Sequence, residues 1–90
     1  MSATIKIRKI IEAHLNEEEE VLLADGYEEA FVGIARRFDS VPFAVYDRNK
    51  CIKILNEQGL NSEEAEEYFQ FNVEGAYMGE NTPAFIHCDH

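Results

Sequence analysis

The segment "NSEEAEEYFQFNVEGAYMGENTP", residues 61–83, constrains the fold more than any other part of the chain. Asn61 and Glu64 stand at the first and fourth positions of a capping box, in which the first side chain accepts a free N–H of the helix start and the glutamate reaches back to the cap residue. From there Ala65, Phe69, Asn72, Val73 and Ala76 follow the i, i+4, i+7, i+8, i+11 stripe of one helical face. Glu63, Glu66, Glu67, Gln70 and Glu74 fall on the opposite side. The spacing predicts one amphipathic rod from the early sixties to the late seventies, apolar side inward and anionic side wet. Gly79 is a natural stop, Thr82 must be extended because a proline follows, and Pro83 can begin a strand without the N–H it lacks. "PAFIHC" then reads as a strand.

Two residues in the rod carry special demands. Asn72 lies in the middle of the apolar stripe, where an unbonded amide costs about 1–3 kcal/mol. It therefore needs partners, either the backbone of the neighbouring "AVYD" or "ENTP" turns or a ligand. Gly75 lies on the flank of the stripe and reads as a place where another strand or helix approaches closely.

Upstream, "ATIKIRKIIEAHLN" alternates like a strand over Thr4 to Arg8, yet Ile7, Ile10, Ile11, His14 and Leu15 recur at helical spacing, which favours a helix with a frayed start. Glu17 to Glu20 form a like-charge block that belongs in solvent, followed by "VLLA" and the turn signal Asp25-Gly26. "AFVGIARRF" (30–38) and "PFAVYD" (42–47), separated by "DSV", suit an antiparallel hairpin. Strict alternation puts Phe31, Gly33, Ala35 and Arg37 on one face and Val32, Ile34, Arg36 and Phe38 on the other. A helix over residues 27–38 competes, but Gly33 in its middle counts against it by about 1 kcal/mol. Asp47 is placed to cap a helix over 48–58 with Cys51, Ile52 and Leu55 inward, and Gly59 closes it.

These elements predict a single α+β domain over residues 1–90: a small antiparallel sheet of about three strands, packed against two or three helices. A chain of this length buries only a little over about 60% of the surface its unfolded form exposes, so it folds alone with modest stability or as a small homo-oligomer. No apolar run approaches the roughly 20 residues of a membrane helix, and the N-terminus lacks the apolar core of a signal peptide. The expectation is a cytoplasmic protein with no membrane partner. Cys51 and Cys88 are too few for a disulfide framework and read as free thiols.

"GIARRF", "AVYDRNKCIKIL" and "SEEAEEYFQFNVEGAYMGENTPAFI" together resemble a family of short phage and bacterial proteins with no established activity. In that family an x-Tyr-Asp-x-x-Lys-Cys-Ile segment precedes a Glu-Glu-Ala-x-Glu-x-Phe-x-Phe-Asn-x-x-Gly-Ala-x-x-Gly-Glu-x-Thr-Pro segment. The resemblance covers about residues 22–86 and leaves the N-terminal helix and acidic segment, residues 1–20, outside it. It implies a shared fold and the setting of a bacterial or phage-infected cell, without an activity.

Charge narrows the function classes. Eighteen acidic against eight basic residues give a net charge of −10, which disfavours direct nucleic-acid binding. Every Lys and Arg lies at or before Lys53, while residues 54–90 carry eight carboxylates. Arg36, Arg37, Arg48, Lys50 and Lys53 form a small basic island read as paired internally with carboxylates. Glu63, Glu66, Glu67 and Glu74, with the Glu17 to Glu20 block, form a candidate partner-binding face for a protein with a basic surface, in the extreme a mimic of a phosphate track.

No GxSxG or phosphate-cradling GxxxxGK motif occurs, and Ser2, Ser40 and Ser62 occupy a terminus, a turn and a helix start. No catalytic residue, cofactor or metal is assigned. In "HCDH", residues 87–90, alternate side chains of an extended chain point apart, so the four cannot close on one ion without a turn. His14 reads as a helix-face histidine. The reading that follows is a non-enzymatic acidic accessory protein that binds another protein, of the phage inhibitor or modulator type. The alternative is a small-molecule or nucleotide pocket where the "YD" and "GENTP" turns meet, built from Tyr46, Asp47, Asn72, Tyr77 and Glu80.

Overall fold

The two β-rich runs flanking "DSV" pair with each other, and the remaining elements are arranged around them. In the computed structural model, which describes residues 3–38, 41–76 and 79–87, β1 (Phe31–Ala35) and β2 (Phe43–Asp47) run antiparallel. α1 (Ala3–His14) precedes them and a short 3-10 turn (Glu28–Ala30) leads into β1. α2 (Arg48–Glu57) follows β2 directly, α3 (Ser62–Phe69) continues into a π-helical turn (Gln70–Glu74), and β3 (Ala84–Ile86) completes the order. The α+β class is the one the sequence predicts. The sheet, ordered β1-β2-β3, is mixed rather than wholly antiparallel, because β3 lies parallel to β2 with Val45 beside Ala84 and Asp47 beside Ile86. Connectivity is the reason: α2 and α3 form the long crossover that a parallel neighbour requires. No helix among the described residues is long and apolar enough to cross a membrane.

Strict alternation in β1 is also corrected. Phe31 faces Tyr46, but Gly33 faces Val45 and Ile34 faces Ala44, so β1 carries one extra residue opposite β2. Such a bulge re-aims the side chains beyond it. Phe31 and Ile34 both pack against the core, and Val32 is left exposed.

The core lies between sheet and helices, with Tyr46, Phe69 and Cys51 as its largest fully buried side chains. Its rings meet mostly edge to face, the arrangement their quadrupoles favour. Phe69 meets Phe85 with centroids 4.9 Å apart and Tyr27 at 6.0 Å, while Tyr46 meets Phe31 at 5.6 Å. The start and stop of α2 and the start of α3 are those read from the sequence, whereas the rod expected to run to the late seventies and stop at Gly79 ends earlier, α3 at Phe69 and its π turn at Glu74. The Asp47 carboxylate accepts the Lys50 N–H at 3.3 Å, and Gly59 ends α2 at φ +107°. Asn61 Oδ1 accepts the Glu64 N–H at 2.9 Å while Glu64 Oε1 accepts the Asn61 N–H at 3.0 Å.

The rod itself is not uniform. After Phe69 the helix widens, and the Gly75 N–H donates to the Gln70 carbonyl, five residues back, at 2.9 Å. One extra residue in a turn sets everything after it back by about 100° around the axis. Val73 therefore packs against the core, and Asn72 is turned outward. The expectation of a buried Asn72 is corrected: it is exposed, and its Nδ2 donates to the Tyr68 carbonyl of its own helix at 3.1 Å. The close approach at Gly75 is also internal, since a Cβ there would lie 2.8 Å from the Gln70 carbonyl oxygen.

Gly75→Ala should lower the unfolding free energy by about 1–3 kcal/mol. Gly33→Ala, whose Cβ would meet nothing within 4 Å, should change it by about 0.5 kcal/mol or less. Urea titration followed by circular dichroism checks both, and equal effects would show that the π turn does not require glycine.

Candidate functional site

Arg48 begins α2 directly after the Asp47 cap, which fixes its side chain at the junction of β2, α2 and α3. Its guanidinium is nearly buried and binds two carboxylates. Nη1 and Nη2 donate to the two oxygens of Glu66 at 3.0 and 2.9 Å. Nε and Nη2 donate to Glu74 at 2.9 and 3.3 Å. The same group lies 5.2 Å from the centroid of the Phe69 ring, close enough for a cation–π contact.

The π turn makes this convergence possible. Eight residues of uninterrupted α-helix would leave Glu74 about 80° round from Glu66. The extra residue removes most of that offset, so both carboxylates reach one guanidinium. Hydrogen bonds from Arg48 hold the Glu66 carboxyl below its ordinary value, and those to Glu66 and then Glu74 raise the Arg48 value.

The predicted partner-binding face is therefore divided. Glu66 and Glu74 turn toward Arg48, while Glu63 and Glu67 remain exposed without an ion pair among the described residues. Beside the outward pair stand Tyr68 and Phe71, 47% and 79% exposed. Glu63 and Glu67 are spaced i, i+4 on one side of α3, Tyr68 follows Glu67 directly, and Phe71 lies within the π turn. The two aromatics escaped the sequence reading because they lie off the apolar stripe; their offset from it was the available signal. In the Glu17 to Glu20 block, Glu19 pairs with Arg36, whose Nη2 also donates to the His14 carbonyl at 3.3 Å. Arg36 and Arg48 of the basic island are thus both paired internally.

The predicted polar cluster does not assemble around one cavity. Asp47 is engaged as the α2 cap. Tyr46 is fully buried, its hydroxyl accepting the Ala24 N–H at 2.8 Å. Asn72 borders a groove of about 270 Å³ with Leu22, Tyr27, Val73 and Phe85. Glu80 borders a different groove, of about 330 Å³, with Arg37 and Phe43. Tyr77 lies outside the described residues, as do Cys88, Asp89 and His90 of the "HCDH" tail. His14 and His87 are exposed, and no group of three or more His, Cys, Asp or Glu among the described residues is arranged to hold a metal ion. The buried Cys51 thiol is pushed up to about 12, chiefly by desolvation, which makes it a poor nucleophile at neutral pH.

Because its folded value is lowered, Glu66 contributes its full stabilisation above the ordinary glutamate pKa of about 4.3, and this is lost as pH falls through the lowered value. The urea midpoints of wild type and Glu66→Gln should accordingly converge between neutral pH and about pH 3, with wild type losing more. Parallel curves would show that the pair contributes nothing. Arg48→Lys, which keeps the charge but not the planar fork, should cost about 1–3 kcal/mol at neutral pH.

No family model matches this chain, and no curated protein or solved structure matches it.

Proposed function

We propose that the protein is a non-enzymatic acidic accessory protein that binds a partner protein with a basic surface through the outer face of α3. The observation that carries this reading is the division of the helix carboxylates: Glu66 and Glu74 are held by Arg48, while Glu63 and Glu67 have no ion pair among the described residues and Tyr68 and Phe71 are exposed just after them in the chain. Carboxylates of this kind steer a cationic partner and set its register. Aromatic side chains supply the contacts that carry most of the energy in protein interfaces. The resemblance to short phage and bacterial proteins gives the setting, an inhibitor or modulator in a bacterial or phage-infected cell.

Mimicry of a nucleic acid is the narrower form of this idea, and the geometry favours it less. Glu63 and Glu67 are about 6 Å apart along the axis, whereas duplex phosphates recur every ~3.4 Å per strand. Two free charges make a short track. The alternative of a ligand pocket at Tyr46, Asn72, Tyr77 and Glu80 lacks a shared cavity among its described members.

Affinity capture from native-host lysate at low and high salt tests the reading. A specific basic protein should be retained at low salt and released at high salt, and the Glu63→Lys/Glu67→Lys double variant should lose it. Capture that persists unchanged in the double variant would refute the α3 face as the contact.

A further inference from the structure

The cations of the chain are as segregated as its carboxylates. α1 carries Lys6, Arg8 and Lys9 against one carboxylate, Glu12, in a chain whose net charge is −10. Ile7 is the residue that α1 buries. Ile5 and Lys9 stand two residues to either side of it, about 160° round the axis, so they occupy the opposite side of the helix, with Lys6 and Arg8 on its flanks. All four are exposed, Ile5 by 48%. None of the three cations has an ion pair among the described residues, in contrast to Arg36 and Arg48.

α3 presents the same pattern with the opposite sign. Ala65 is fully buried, and Glu63 and Glu67 stand two residues to either side of it, exposed and without an ion pair among the described residues. Phe71, the more exposed of the two outer rings, follows Glu67 by four residues in the π turn. Each helix thus has an outward side that joins charge to apolar surface. Lys6 and Lys9 are about 4.5 Å apart along their axis and Glu63 and Glu67 about 6 Å, a difference that flexible lysine stems span. Within the chain the two sides do not meet, since α1 packs on β1, α3 packs on α2, and no ion pair joins them. A second copy can bring them together.

We propose that the partner held by the α3 face, the contact surface on which this inference rests, is the α1 helix of a second copy of this chain. The two helices run antiparallel, with Lys9 against Glu63, Lys6 against Glu67 and Ile5 toward Phe71. This direction opposes the helix dipoles and carries Glu12 past the start of α3, where negative charge is favoured. Screening over about 8 Å at physiological ionic strength leaves the pairs in contact as the dominant charges between two negative molecules. Because the two surfaces differ, the association is head to tail. One helix-on-helix contact is small, and the dissociation constant is on the order of 100 µM.

Sedimentation of the full chain at concentrations up to about 1 mM tests it, and the weight-average mass should rise to at least about twice that of the monomer. Lys6→Glu/Lys9→Glu and Glu63→Lys/Glu67→Lys, all at exposed positions, should each stay monomeric with the circular dichroism of wild type. Mixed together, they should associate again, because the intact α3 of the first meets the intact α1 of the second. A wild type that stays monomeric, a variant that associates as wild type does, or a mixture that stays monomeric would each overturn the proposal. The lysate capture separates this outcome from failure of the face itself. A monomeric wild type whose captured partner is lost in Glu63→Lys/Glu67→Lys overturns the self-association and leaves the α3 face as the contact for a foreign protein.

Discussion

The Arg48 guanidinium is the contact on which the arrangement of the second half of the chain depends. It stands at the start of α2, one residue after the carboxylate that caps that helix, and so it is fixed to the end of β2 before it meets anything else. From there it gathers one carboxylate from α3 and one from the π turn, and covers the Phe69 ring. A planar fork with several fixed donors can hold two carboxylates at once in a way a lysine ammonium cannot. In a chain so rich in negative charge, this contact also removes like-charge repulsion between Glu66 and Glu74, which the π turn has brought to the same side.

Local signals in the sequence were read correctly where a local physical cause decides the outcome. The Asn61–Glu64 capping box, the Asp47 cap and the Gly59 stop each satisfy backbone groups within a few residues, so their chemistry is visible in the letters themselves. The bulge at Val32, the π turn and the parallel pairing of β3 depend instead on partners far along the chain. A 3.6-residue period applied through residue 76 put Asn72 inside, because a regular period has no allowance for a helix that widens after Phe69. The misfit of a polar Asn72 on an apolar stripe, followed by Gly75, was the trace that the widening left in the sequence. Of the candidate site, the carboxylates on the outer helix were legible, whereas their division into paired and free sets required knowing where Arg48 points. Tyr46, Asn72 and Glu80 border different hollows, an arrangement set by the tertiary packing of separate segments and so not written in the letters around them.

The fold thus separates two chemistries. On α3 and the π turn, charge not used by Arg48 faces outward beside Tyr68 and Phe71. Around the 23–28 loop, Ile7, Ile11 and Leu23 line a groove against the first helix. The loop residues Leu23, Ala24 and Asp25 also border the Asn72 groove on their far side, so one short irregular segment is a wall common to two hollows.

The parallel pairing of β3 has a kinetic consequence. Val45 and Ala84 are joined through nearly forty residues of intervening chain, and closing so long a loop carries an entropic cost that neighbouring-strand pairing does not. The β1–β2 pairing closes a loop of only a few residues, whereas the β2–β3 pairing closes one that contains both crossover helices. The edge-to-face contact of Phe85 with Phe69 belongs to this costlier closure, because Phe85 is on β3 and Phe69 is on the crossover.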